Sequence, residues 1–290
     1  GPLAEADLLP LLGDVDGIIC GDDAFTRKAL QKCLPKLKVL SKYGIGVDKI
    51  DIAAATDLGI PVTYCPGVNH TTVAEHAFGL LIGLLRHIPE EAAIVKKGEW
   101  KRLTGNELWG KTIGIIGLGR IGKEVATRAI AFGMNVVAFD VFWDEAFAKA
   151  NNVRKAASAE DVLKEGDVIT FHMNLSKENR EFLNAKRIGL LKKGAVVVNT
   201  ARGGLVNEKD VAEALGNGKL AGYATDVVDP EPIAKENPLL SAPNVVITPH
   251  IASRTYESVE RQATMAAENL IRVIKGEKPL AQVNELKKKA

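Results

Sequence analysis

Three polar side chains in the second half of the chain each stand a few residues beyond a short apolar run. Arg202 follows AVVVNT at 195–200, Glu231 follows the run 220–227, and His250 follows the run 244–248. Ligands of open α/β sheets bind beyond the carboxyl ends of the strands, so three such positions are placed to converge. Together they have the makings of a site that interconverts a hydroxyl and a carbonyl. An imidazole exchanges a hydroxyl proton near neutral pH. A neighbouring carboxylate stabilises the imidazolium and orients the ring. A guanidinium grips a substrate carboxylate through paired hydrogen bonds. Spacing alone leaves plainer readings open: an arginine after a strand is commonly half of a surface ion pair, and Asp229-Pro230-Glu231-Pro232 is commonly a rigid turn.

Such chemistry needs a hydride carrier, and KTIGIIGLGRIGKEVATRAIAFGMNVVAFD at 111–140 has the form of a site for one. An apolar run ends at Gly117, and Gly117, Gly119 and Gly122 form G-x-G-x-x-G. An amphipathic segment with Val125, Ala129 and Phe132 at helical spacing follows, with Gly133 where a C-cap glycine belongs. A second apolar run then ends in Asp140, 23 residues after Gly117. Each part has a task in binding a dinucleotide. Gly117 makes the tight turn, Gly119 lets the backbone approach the pyrophosphate, and Gly122 lets helix and strand pack closely. N–H groups near Arg120 and Ile121 are expected to face the phosphates, aided by the helix dipole. Asp140 is suited to the ribose diol and would repel a 2′-phosphate; Val141, Phe142 and Trp143 supply no arginine to hold one. NAD is therefore expected as cofactor, rather than NADP.

Composition narrows the rest. The 290 residues suit two domains, and 46% hydrophobic with 26% charged residues is a globular profile. A net charge of +2 gives no electrostatic basis for a nucleic-acid or membrane partner, and Lys287-Lys288-Lys289 reads as a solvated tail. There is no secretory signal and no apolar stretch of about 18 residues. Cys20, Cys33 and Cys65 are odd in number and lack C-x-x-C spacing, which fits a reducing compartment; a cytoplasmic protein is expected. Gly1-Pro2 has the form of a protease scar. No histidine pair has zinc-site spacing, and no metal is expected.

The elements that must position these residues alternate regularly. Apolar runs at 15–20, 37–43 and 61–65 alternate with helical segments at 26–33 and 52–58, the second capped by Asp51, which predicts a parallel sheet. Thr72-Val73-Ala74-Glu75 has the capping-box pattern and predicts a long apolar helix over 73–87, with Pro89 restarting the helix. The irregular stretch 98–110 reads as a crossing into a second domain. Helices at 158–165, 184–191 and 207–215 then alternate with strands at 167–172, 195–200, 220–227 and 244–248. Their near-continuous apolar character is that of a sheet covered on both faces. A helix over 255–274, ended by Gly276, would return the chain to the first domain. The expected architecture is two doubly wound α/β domains: a substrate domain from 1–98 and 253–290, a nucleotide domain at 99–252 inserted into it, and the site between them.

In sequence order, NTARGGLV at 199–206, TDVVDPEP at 225–232 and TPHIA at 248–252 resemble segments of the D-isomer-specific 2-hydroxyacid dehydrogenases, and the resemblance runs over 15–284. It implies a Rossmann NAD domain inserted into a flavodoxin-like substrate domain. It implies Arg202 as the substrate-binding arginine, Glu231 and His250 as the acid/base pair, Thr200 and Ala201 beside the cofactor, and Asp226 at the nicotinamide carboxamide. The loop 44–48 resembles the family's substrate-carboxylate loop, with Ile45 and Gly46 offering backbone N–H groups. SKYGIGVDKID, PGVNHTTVAEH and GKTIGIIGLGRIG are most similar to the phosphoglycerate dehydrogenase branch, which often has Arg where this chain has Lys42. A lysine there would meet a phosphate or carboxylate as a point charge. The implied reaction is hydride transfer at C2 of a small 2-hydroxy acid, with 3-phosphoglycerate preferred. Glyoxylate or hydroxypyruvate reduction and D-lactate oxidation are the alternatives, and an NAD-sensing corepressor is the reading from another class. Members commonly pair through the nucleotide domain, so a homodimer is expected. Two features of the ends depart from the pattern. The family opens with a strand ahead of VDGIIC, whereas LAEADLLPLL is helix-like, which would leave a gap in the substrate-domain sheet. Nothing resembling a serine-binding regulatory module follows Asn284, so feedback control is not expected.

Overall fold

The computed structural model describes residues 3–286, so Gly1-Pro2 and the lysine run 287–289 lie outside the described residues. The chain divides into two compact units, Gly1–Asn69 with Arg254–Ala290, and His70–Ser253.

In the first unit, helix α1 (Glu5–Leu8) precedes β1 (Gly17–Cys20), α2 (Arg27–Lys32), β2 (Val39–Lys42), α3 (Ile52–Asp57) and β3 (Val62–Thr63). Caps define the helix starts: the Thr26 hydroxyl accepts the Ala29 N–H at 3.3 Å, and Asp51 accepts that of Ala54 at 2.8 Å. The strands pair in the order β1-β2-β3, all parallel. β1 pairs with β2, Gly17 opposite Val39 and Cys20 opposite Lys42, and forms the edge of the sheet; among the described residues no strand lies on its other side. The C-terminal helix (Tyr256–Ile274) packs over β1 and β2; the Ser41 hydroxyl donates to the Ala266 carbonyl at 2.8 Å. Beyond that helix the chain lies along β3, where Val283 donates to the Val62 carbonyl and Asn284 accepts the Val62 N–H, both at 2.8 Å. Burial pushes the Cys20 thiol up to about 12 and raises Cys65 as well, so both remain protonated and pack as small hydrophobes.

The second unit opens with α4 (His70–Leu85) and α5 (Ile88–Lys96), then runs β4 (Thr112–Ile116), α6 (Arg120–Ala131), β5 (Asn135–Phe139), α7 (Glu145–Ala150), β6 (Arg154–Lys155), α8 (Ala159–Glu165), β7 (Val168–Phe171), α9 (Ala185–Leu190), β8 (Ala195–Asn199), α10 (Glu208–Gly216), β9 (Leu220–Thr225) and β10 (Val245–Ile247). Its seven-stranded parallel sheet has the order β10-β9-β8-β7-β4-β5-β6, so the winding reverses between β4 and β7. Alternate residues of one strand serve opposite cores. Val196 and Val198 face α4 and α6, while Ala195 and Val197 face the side of α8, α9 and α10. Burial on both faces is why these strands read as unbroken apolar runs.

Two expectations shift here. The boundary at 98/99 assigned α4 to the first domain, but Leu80, Leu81 and Leu84 share a core with Ile113, Val125, Ala129 and Val198, so the helix belongs to the second unit. The capping-box pattern placed the helix start at Thr72, but α4 already begins at His70, and Thr72 is buried within its first turns. Among the described residues, no helix is long and apolar enough to cross a membrane.

Candidate active site

The cofactor half of the site lies where the winding reverses. Beyond β4 the glycine turn leads into α6, whose N-cap, Gly119, has no side chain to satisfy the first N–H groups. Arg120 is exposed and Ile121 half-buried in the first turn. Anions bind at such a helix start through the open N–H groups and the dipole. A Cβ at Gly122 would sit 2.1 Å from the Gly117 carbonyl oxygen, so any side chain there forces turn and helix apart. Asp140, after β5, is held beside the turn: Oδ2 accepts the Leu118 N–H at 2.6 Å and Oδ1 the Phe142 N–H at 2.7 Å. At the end of β8, the Thr200 hydroxyl is buried with no hydrogen-bond partner, a group suited to a ligand. The Ala201 N–H is taken by the Asn199 side chain at 3.0 Å. The donor-rich turn, the fixed carboxylate and the orphan hydroxyl fit NAD.

His172 ends β7 beside this turn. Burial pushes it down to about 3, so the ring is neutral near neutral pH, with Nε2 2.9 Å from the Thr170 hydroxyl.

The acid/base half follows from three strand ends. His250 Nδ1 lies 2.8 Å from Glu231 Oε2, and Val228 donates to Glu231 Oε1 at 3.4 Å. Both side chains are partly exposed, 35% and 26%, so the pair is sheltered yet reachable. Arg202 lies in the loop after β8, next to Gly203, where a Cβ would fall 2.1 Å from the Val228 carbonyl carbon. Only glycine permits this approach between the β8 and β9 loops. The Arg202 carbonyl accepts from Asn199 Nδ2 at 2.9 Å, fixing the backbone, and its Nη1 donates to the Ala201 carbonyl at 2.7 Å. Imidazole and carboxylate are in contact, and Arg202 stands in the β8 loop that packs on the β9 loop through Gly203, all within one unit.

Asp226 behaves differently from expectation. Its side chain is fully buried, with Oδ1 taking the Thr248 hydroxyl at 2.6 Å and the Ile251 N–H at 2.9 Å, and Oδ2 the Ala252 N–H at 2.7 Å. Burial works to raise this carboxyl, but donors from His76, Thr248, Ile251 and Ala252 outweigh it and hold it below the usual range. Its carboxylate organises the 248–252 loop, and no sequence signal separated that task from a cofactor contact. His76, on α4, reaches the same group: Nε2 lies 2.9 Å from the Thr248 hydroxyl and 3.4 Å from Asp226 Oδ1. His70 is the first residue of α4, 3.9 Å from Glu124.

In the first unit, Ile45 and Gly46 lie in the loop after β2, Ile45 half-buried. Lys42 is not the open cation that the resemblance implied. Its side chain is 4% exposed and donates to Asp22 and to the Gly21 carbonyl, each at 2.8 Å.

Known proteins share both the sequence and the fold. The family described as D-isomer specific 2-hydroxyacid dehydrogenase, NAD binding domain, matches residues 78–252. D-3-phosphoglycerate dehydrogenase of Methanocaldococcus jannaschii is 41% identical over 95% of the chain, which spans only 53% of that relative. Glyoxylate reductase of Thermofilum pendens is 39% identical over 98% of the chain and 86% of its own length. The crystal structure of the TT0316 protein from Thermus thermophilus superposes with a TM-score of 0.89 at 38% identity, covering 97% of this chain and 89% of that one.

Proposed function

The chain belongs to the D-isomer-specific 2-hydroxyacid dehydrogenase family, and from that premise we propose that it is an NAD-dependent oxidoreductase acting at C2 of a small D-2-hydroxy acid or its 2-oxo partner. The observation that carries this reading is the 2.8 Å contact between His250 Nδ1 and Glu231. NADH, when bound, supplies the hydride for the carbonyl carbon. His250, as the imidazolium, donates its Nε2 proton to the carbonyl oxygen. Glu231 holds Nδ1–H, orients the ring and stabilises its charge. Arg202 pairs with the substrate carboxylate and polarises the carbonyl. The α6 N-terminus, Asp140 and Thr200 hold the cofactor. In the oxidative direction the neutral imidazole accepts the hydroxyl proton.

The relatives' names divide between phosphoglycerate dehydrogenase and glyoxylate reductase. The pairing of Lys42 with Asp22 favours the smaller substrates, because the cation proposed for a phosphate is buried and already neutralised. A panel of glyoxylate, hydroxypyruvate, pyruvate and 3-phosphohydroxypyruvate, assayed by NADH oxidation, tests both points. Turnover is expected, with glyoxylate or hydroxypyruvate ahead of the phosphorylated acid. NADH binding without turnover of any of them would instead support an NAD-sensing binding protein.

We also read the chain as a homodimer. In the second unit an apolar groove of about 470 Å³ is lined by Ile82, Leu85, Leu108, Trp109 and Phe132, and Trp109 is 76% exposed beside it. An aromatic, apolar face of this kind is suited to burial against another protein surface. Sedimentation is expected to give twice the 31.1 kDa chain mass; a species of chain mass alone at all concentrations would refute the dimer. Three buried free thiols support a reducing compartment, which we take to be the cytoplasm.

A further inference from the structure

His250 holds an unusual backbone conformation for a residue other than glycine, with φ 52°. The surrounding hydrogen bonds impose it. Its N–H donates to the Asp226 carbonyl at 2.8 Å and the Thr248 carbonyl at 3.0 Å. The Asp226 carboxylate collects donors from both sides of it, the Thr248 hydroxyl before and the Ile251 and Ala252 N–H groups after. The loop is thus wrapped around one buried carboxylate.

His76 completes that arrangement from α4. The Thr248 hydroxyl has one proton, and the 2.6 Å contact to Asp226 uses it, since a carboxylate only accepts. At 2.9 Å from His76 Nε2, the same oxygen must then accept, so Nε2 carries a proton. That N–H also faces Asp226 Oδ1 at 3.4 Å, adding a donor to a carboxylate that has no access to water. Since α4 packs against both β9 and β10, His76 ties the loop to a long rigid helix. Beneath the acid/base pair His250–Glu231 there is a second imidazole–carboxylate pair, joined to it by the loop itself.

We propose that His76 is a positioning residue: through Thr248 and Asp226 it holds the 248–252 loop in the conformation that presents the His250 ring to Glu231. This rests on the functional reading above only in assigning the reaction to His250. His76→Leu removes the donor at similar volume, whereas His76→Gln keeps an N–H of comparable reach. His76→Leu is expected to lower kcat by about 10–100-fold with the dissociation constant for NADH within about twofold of wild type, and His76→Gln to recover most of the loss. Nitrogen-15 NMR of the histidine rings, read without turnover, should show the His250 Nδ1–H hydrogen bond to Glu231 in wild type and His76→Gln, and lose it in His76→Leu. Full kcat in His76→Leu would overturn the proposal. So would equal losses in both variants accompanied by weaker NADH binding and a lower melting temperature, the mark of a packing role alone. If wild type turns over no 2-oxo acid, the functional reading fails separately, and an intact His250–Glu231 hydrogen bond in His76→Leu would then refute the positioning role.

Discussion

His250→Ala is expected to lower kcat for 2-oxo acid reduction about a thousandfold while leaving the affinity for NADH nearly unchanged. The ring contacts Glu231 at 2.8 Å, and the glycine turn, Asp140 and Thr200 are built from other loops. In the proposed roles, removing the imidazole deletes the proton donor without touching the residues proposed to hold the cofactor. Glu231→Gln should be milder. The amide oxygen can still accept Nδ1–H, but a neutral group no longer stabilises the imidazolium. Steady-state kinetics with fluorescence titration of NADH separate these effects. Unimpaired turnover in His250→Ala would mean that another group supplies the proton. The direction of the pH response follows from the proposed roles: reduction needs the imidazolium and is expected to fade as pH rises, whereas oxidation needs the neutral ring and is expected to fade as pH falls.

Arg202→Lys should raise KM for every 2-oxo acid by about 10–100-fold, because a point charge replaces a planar fork and one charge-assisted hydrogen bond is worth about 1.5–3 kcal/mol. kcat should fall as well, since the guanidinium also polarises the carbonyl. The protein fold is expected to survive. The Asn199 contact goes to the Arg202 carbonyl, which the substitution retains, and Gly203 keeps its approach to Val228. Initial-rate measurements across the substrate panel decide it. A loss confined to one substrate would place Arg202 at that substrate's distal substituent, and an unchanged KM throughout would remove it from the binding site.

Much of the second unit was legible in sequence because the physics is local or strictly periodic. A parallel strand buried on both faces must be apolar along its length, and Val196, Val197 and Val198 are so for that reason. The glycine turn was legible because its backbone tolerates no Cβ at Gly122. The cap at Asp51 was legible because it satisfies an N–H three residues away, as Thr26, Ser158, Asn184 and Asn207 also do at their helices. Two short elements went unseen: the two-residue β6, which has no such signal, and α7, although Asp144 caps it by accepting the Phe147 N–H.

The candidate site was legible as a set of residue types at strand ends, but not as a geometry. Nothing between positions 226 and 250 reveals that Asp226 turns inward to gather the loop while Glu231 turns to the imidazole. Nor does the sequence show that Lys42 faces Asp22, that β1 pairs directly with β2, or that α4 packs with the later strands. Residue composition and short-range spacing settled the parallel α/β class, the dinucleotide turn and the chemistry available. Tertiary structure alone decided which carboxylate meets which histidine, because a polar side chain chooses its partner only once burial has removed water as the alternative.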